Sequence, residues 1–501
     1  GGMGGMGGMG MGGGGFGGMV ETCAPGDDGD AMLVTPGDAG KLLLRGTVVT
    51  PTGAIDGEVL VVGSDIACVQ ADCSAHPDAA TAAVIDTGGV IAPGMIDTHN
   101  HILFNIFDLD DWPPGQAFDN HNQWTDDPEY ELVLVAKQYL NGESGSPVNY
   151  NCEMLKYGEL KALIAGTTSV LGAANPANKV CYRTLARTID QSANGLCGTQ
   201  PPMSCPDKIQ VNSIFPSSSS ANAVCDNIAD GSTESYVVHL GEGVDQSSLD
   251  EFDDLFTLTT PDGCLFDDVS VFVHGTAFGQ PEFSQMSNTG ISLVWSPASN
   301  VALYGLGSDL TKTTGMPAAP TAGANVSFAT DWALGGSRNL LDEQRFADFI
   351  DNSQWNDLLD GQALVDMVTL RAAEALALSG VIGELSVGAK ADIMVVAKQG
   401  DAYESLLAAH PSTVRLVLVD GVPLYGEAHL DAVAPTSPGC ETLDTCGCDK
   451  FLCVAIDGGT ASNLWGQTFA EIESTLDTAL TQYDAANGTS FHPLTPLFTC
   501  D

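Results

Sequence analysis

Basic residues are scarce: 17 Lys and Arg stand against 64 Asp and Glu in 501 residues, for a formal net charge of -47. A field of that sign repels phosphate backbones and anionic lipid surfaces, so neither nucleic acid nor charge-driven membrane binding is expected. Long apolar runs are also missing. No stretch approaches the roughly 20 residues of a membrane helix, and no membrane insertion is expected. Cysteines are plentiful, but paired CxxC spacing is absent. The tightest group, Cys446-Gly447-Cys448 with Cys453, has no neighbouring His, which argues against a structural zinc site.

The 14 cysteines are even in number and scattered, and disulfides are the expected use for them. Disulfides imply an oxidising compartment, hence a periplasmic, cell-surface or secreted location. The short loops Cys68 to Cys73 and Cys197 to Cys205 suit local bridges. The acids are dispersed, as at Asp108 to Asp111 and Asp250 to Asp254, and read as a solvated acidic surface. Residues 1–38 are expected to be a Gly/Met-rich low-complexity leader, the remainder of a processed precursor. Glycine maximises the entropy lost on ordering, and the sparse methionines bury too little area to offset it, so a flexible spacer is expected.

The most informative stretch is Gly88 to Phe104, where an apolar run turns at Pro93-Gly94 and delivers His99 and His101 two residues apart, just after Asp97. Alternate strand residues point the same way, so both imidazoles can face one point, an arrangement suited to Zn or Fe. Further apolar runs close on ionisable groups: Ser235 to His239 with Glu242 beyond it, Val269 to His274, and Asn325 to Asp331. In a parallel barrel the C-terminal strand ends form one rim, where residues distant in sequence converge.

These pieces resemble the metal-dependent amidohydrolase superfamily, in its mononuclear deaminase and chlorohydrolase branch of cytosine deaminase-, guanine deaminase- and triazine hydrolase-like enzymes. The resemblance is carried by APGMIDTHNH, AGTTSV at Ala165 to Val170, HLGE at His239 to Glu242, VHG at Val273 to Gly275, SPASNVALYG at Ser296 to Gly305, ATD at Ala329 to Asp331 and GELSVGAKADIMVV at Gly383 to Val396. It implies an α/β fold, a (β/α)8 TIM barrel over 93–384. A small β-sandwich would be formed by segments before (39–92) and after (385–431) the barrel. The first of these segments reads as antiparallel strands. Residues 432–501 are a Cys-containing extension with one amphipathic helix near Gln467 to Tyr483, which nothing in the resemblance explains.

The resemblance also implies the chemistry. One divalent transition metal ion, Zn with Fe as the alternative, would be held by His99, His101, His239 and Asp331. It would activate a water for attack on a small-molecule substrate. Asp331 would help accept the water's proton, Glu242 would shuttle it to the leaving nitrogen, and His274 would polarise the electrophile or hydrogen-bond the attacking oxygen. Binuclear relatives bridge two ions with a carboxylated lysine on the fourth strand. Here that strand is expected at Ile209 to Phe215, and its neighbour Lys208 lies at the wrong end, which favours one metal. Trp112, His121 and Trp124 in the long segment after the first strand, and Trp332 beside Asp331, are candidates to contact a planar substrate, with packing as the rival role. The reaction would be ring-amine deamination or amide hydrolysis. The competing readings are an external structural or binding protein on the same scaffold, and a binuclear cyclic amidase or dipeptidase. Homo-oligomerisation stays open.

Overall fold

The structure, a computed structural model, describes residues 26–143, 145–172, 185–189, 196, 209–212, 214–436, 439–455 and 466–500. Most of the leader, with Cys23, Cys181, Cys197, Cys205 and Lys208, lies outside the described residues.

Two parallel ladders carry the α/β part. One joins β6 (Met95–Asp97), β7 (Thr167–Val170) and β8 (Arg187–Thr188). The other joins β9 (Ile209–Asn212), β10 (Ser235–Leu240), β11 (Ser270–His274), β12 (Ser292–Trp295) and β13 (Val326–Phe328) in sequential order. β10 and β11 are buried along their whole length, as parallel strands covered on both faces must be. Helices such as Ser218–Asp230, Gln246–Thr257 and Gln280–Thr289 separate the strands. Ser217 and Asp245 cap two of them by accepting the free N–H groups of Ser220 and Ser248. Gly231 and Gly290 stop two in the left-handed region. The last strand returns beside the first: Asp331 N–H donates to His99 O at 3.1 Å and His101 N–H to Asp331 O at 2.6 Å. β8 and β9 share no ladder among the described residues. The result is a TIM-barrel-like α/β unit whose strands β6 to β13 end on one side.

The remaining strands form a separate β-domain, and here two expectations change. Its ten strands make one hydrogen-bonded sheet, in the path β17-β18-β16-β15-β14-β5-β2-β3-β4 with β1 on β5. The members are β1 (Met32–Thr35), β2 (Lys41–Thr50), β3 (Gly53–Val62), β4 (Asp65–Gln70), β5 (Ala83–Pro93), β14 (Ile393–Ala397), β15 (Val414–Val419), β16 (Val422–Glu427), β17 (Glu441–Thr445) and β18 (Cys448–Leu452). The first segment is mixed, because β2 pairs with β5 in parallel. Hairpin β17–β18, expected in a separate extension, pairs with β16 and so belongs to this sheet. The leader boundary also moves. Ala31 is buried, β1 pairs with β5, and Lys398 binds Asp28 at 2.9 Å, so residues from Gly26 onward dock on the sheet.

A buried Arg187 at the end of β8 joins the two units by hydrogen bonding Asp392 and reaching Asp420 at 3.1 Å. Removing one partner of such a buried pair leaves an uncompensated charge. The C-terminal helix is Phe469–Asn487, capped reciprocally by Thr468 and Glu471. Ile472, Leu476 and Leu480 are buried as expected, with Ala479 and Tyr483, while Phe469 is half-buried. This face packs on helix Asn151–Leu163, whose Tyr157 hydroxyl donates to Thr495 O at 2.5 Å. Disulfides Cys440–Cys453 and Cys446–Cys500 tether the same region. Cys68–Cys73 and Cys225–Cys264 close others, and Cys152 and Cys448 are bonded too. Leu476→Ala should therefore cost ~2–5 kcal/mol, the range for buried Leu truncations, in a denaturant titration. A loss below ~0.5 kcal/mol would show that the helix is not part of the core.

Candidate metal centre

The strand ends bring the predicted residues together on one rim. His99 and His101 follow β6, His239 lies within β10, His274 ends β11 and Asp331 follows β13. His99, His239, His274 and Asp331 are buried, and His101 is 28% exposed at its side chain, which places it at the mouth. His99 Nε2 lies 3.2 Å and His101 Nε2 3.5 Å from one oxygen, Asp331 Oδ1. Asp331 Oδ2 accepts the Ser299 hydroxyl at 2.5 Å, and Ser299 Oγ accepts from Trp332 Nε1 at 3.3 Å.

Among the described residues two groups hold their ligand atoms within 4.8 Å of one another: His99 with His101 and Asp331, and His99 with His239 and His274. The four residues expected as ligands therefore do not make one tight group. His99 is shared, and His239 sits beside His274. Hydrogen bonds separate the roles of those two. His239 Nδ1 faces the Asn212 carbonyl at 3.4 Å, and a carbonyl only accepts, so Nε2 keeps its lone pair for a metal. Asn300 Oδ1 accepts hydroxyls from Thr313 and Thr314 at 3.3 and 3.5 Å, which turns Asn300 Nδ2 toward His274 Nδ1 at 3.3 Å. His274 Nδ1 thus accepts, and its Nε2 carries the proton.

Burial pushes His101 down to about 3 and His274 to about 4, and holds His239 well below the usual histidine range, with neighbouring imidazoles adding to each shift. The rings are neutral and able to ligate. Burial opposes ionisation of Asp331, yet its bond to His99 and the surrounding imidazoles hold it well below the usual carboxylate range. This donor set fits a divalent transition metal. Tetrahedral ligands about 2.0–2.1 Å from Zn are about 3.3–3.4 Å apart, and the observed 3.2 and 3.5 Å separations bracket that value. Asp97 braces the loop by accepting from Thr330 Oγ1 at 2.6 Å and Asn100 Nδ2 at 2.9 Å. His274 and Asp331 hold left-handed backbone, at φ 72° and 62°, a cost that non-glycine residues retain where the surroundings over-determine them.

Glu242 is buried beside this cluster. Its Oε1 accepts from Tyr304 Oη at 2.8 Å and Trp124 Nε1 at 3.2 Å, and its Oε2 lies 3.8 Å from His274 Nε2 and 3.9 Å from His121 Nδ1. Burial, reinforced by the Asp331 charge, pushes its carboxyl up to about 7. One substrate-binding candidate is corrected: Trp112 is 1% exposed and enclosed by Phe118, Trp124, Tyr130 and Trp332, so it is a packing residue. Trp332 is buried as well, with its ring 5.6 Å from that of His101. Ser299, Asn300 and Tyr304 stand in the sequence only as part of a motif, although the i, i+4 spacing of Asn300 and Tyr304 is the signal that these two share a helix face.

Comparison with known proteins agrees with this fold. Residues 262–424 match the amidohydrolase family model. A 5-methylthioadenosine/S-adenosylhomocysteine deaminase of Syntrophobacter fumaroxidans is 24% identical over 384 residues, 72% of this chain and 84% of that protein. A protein of the same description from Acetivibrio thermocellus is 27% identical over 168 residues, 31% of this chain and 38% of its own length. Among solved structures, a mutant atrazine chlorohydrolase of Arthrobacter aurescens TC1 complexed with zinc and atraton aligns with TM-score 0.59 at 18% identity, covering 76% of this chain and 95% of that one. The chain thus resembles the amidohydrolase family, through a match to that family's model over residues 262–424.

Elemental analysis of the protein loaded with zinc and freed of excess should find one equivalent per chain, and none in Asp331→Ala. Two equivalents would mean that both histidine groups bind an ion.

Proposed function

We propose that this chain is a hydrolase of C–N bonds that uses one divalent metal ion, zinc first and iron as the alternative. We also infer that its two parallel ladders form a single (β/α)8 barrel around the site. The observation that carries the reading is the pair of imidazole nitrogens on one Asp331 oxygen, next to a buried Glu242 poised near neutrality. His99, His101, His239 and Asp331 would hold the ion. When bound, such an ion supplies Lewis acidity and lowers the pKa of water from 15.7 to about 7.

The chain's own groups supply the rest. Tyr304 and Trp124 fix Oε1 of Glu242, so Oε2 is the oxygen that holds and releases a proton toward the leaving nitrogen. His274 presents Nε2–H into the site as a hydrogen-bond donor for the electrophilic group, because Asn300 occupies Nδ1. That protonated nitrogen also favours one ion over two, since a ligating imidazole needs the lone pair. Asp331 and Ser299 offer an acceptor and a hydroxyl beside the attacking oxygen.

The substrate class we infer is an aminated heterocycle, by analogy with relatives described as deaminases of adenosine derivatives. The half-buried Trp124, whose indole borders Glu242, supports a planar ligand. An inert binding scaffold is disfavoured, because every ionisable position that turnover requires is filled. The disulfides support an external location.

The test is ammonia release from a panel of aminopurine nucleosides and aminotriazines by the zinc-loaded protein. Glu242→Gln should retain metal and fold while lowering turnover by at least ~100-fold, the lower range for general acid–base catalysis. Near-native turnover in that variant would remove Glu242 from the mechanism.

A further inference from the structure

Glu242 is enclosed, yet expelling the nitrogen as ammonium takes one proton per turnover beyond the two that water supplies, and that proton must come from the medium. This inference rests on the C–N hydrolase reading above. With Oε1 committed to Tyr304 and Trp124, only Oε2 of Glu242 can exchange a proton. Two imidazoles face it. His274 is 1% exposed at its side chain and leads inward, whereas His121 is 22% exposed and leads out.

The far nitrogen of His121, Nε2, lies 3.4 Å from Glu251 Oε1, whose side chain is 14% exposed. Glu251 is itself fixed, because its Oε2 accepts the Gly241 N–H at 2.8 Å, leaving Oε1 for His121. The His121 backbone is pinned as well. Its N–H donates to the Glu242 carbonyl at 3.2 Å, and Asn120 bridges to Gly243. Titratable groups therefore run in a line from Glu242 through His121 to Glu251 and the surface, separated by 3.9 and 3.4 Å.

We propose that Glu251 and His121 form a proton relay that recharges Glu242 from solvent. Glu251 Oε1–H gives its proton to His121 Nε2, and His121 Nδ1–H gives its own to Glu242 Oε2. One O–H and one N–H bond break, and one of each forms. Glu251 then regains a proton from water, and the imidazole, left in its other tautomer, resets by exchange across its exposed edge. Burial, helped by neighbouring acids, pushes both Glu242 and Glu251 up to about 7, so a proton moves between them at little cost. His121 is a positioning and relay residue. It acts through Glu242 and need not touch the substrate.

The experiment compares wild type, His121→Ala, His121→Gln and Glu251→Gln as zinc-loaded full-length protein, reading kcat, KM, melting temperature and the response to added imidazole. We expect kcat to fall by at least ~10-fold in each variant with KM within ~2-fold, and imidazole to restore several-fold of the loss in His121→Ala. His121→Gln, which keeps the shape but cannot relay, should stay slow with an unchanged melting temperature. Unchanged kcat in His121→Ala, or a raised KM at constant kcat, overturns the relay. So does a loss of kcat that imidazole cannot rescue. No turnover by wild type on any amine overturns the hydrolase reading and the relay with it, whereas an active wild type with an unaffected His121→Ala overturns the relay alone.

Discussion

A carboxylate buried at the rim of the parallel strands needs compensating charge or several hydrogen bonds, and Asp331 is such a group. It receives one strong bond, from Ser299, and sits against the Nε2 atoms of His99 and His101. The surrounding imidazoles already favour its ionised form, and a divalent cation between them would compensate the charge further. Much of the surrounding structure serves to keep these groups together. Asp97 accepts from Thr330 and Asn100 and so clamps the end of β6 to the loop after β13. The left-handed backbone at Asp331 and His274 is maintained by the same packing.

Around that centre the molecule separates two tasks. The ends of the parallel strands supply groups that can ligate, while the long segment after β6 and the helix after β12 supply groups that tune a proton. Trp124 and Tyr304 reach Glu242 from these two elements, and the aromatic cluster of Trp112, Tyr130 and Trp332 stiffens the segment that carries Trp124. Loops over the TIM-barrel-like unit thus carry the specific features, and its strands carry the general ones.

The local part of this arrangement was legible from the sequence. His99 and His101 stand out because strand alternation fixes their relative direction, and His239, His274 and Asp331 stand out because each closes an apolar run. What was not legible depends on non-local pairing. Hairpin β17–β18 carries no signal that its partner is β16, and the parallel pairing of β2 with β5 cannot be read from either strand. Trp112 was ambiguous because an aromatic loop residue looks the same whether it packs or binds. Glu251 was hidden in the acidic run Asp250 to Asp254 and read as solvated surface, although the fold turns it toward His121. The leader boundary was placed too late because the short strand β1 is stabilised by β5, not by its own composition.

The central claim is that one metal is held through His99, His101, His239 and Asp331 while His274 remains a protonated donor. X-ray absorption at the zinc edge of the stoichiometrically loaded protein tests it most directly. The account predicts a first sphere of three imidazole nitrogens with oxygen and no sulfur, unchanged in His274→Ala and short of one nitrogen in His239→Ala. A nitrogen lost in His274→Ala but retained in His239→Ala would contradict it.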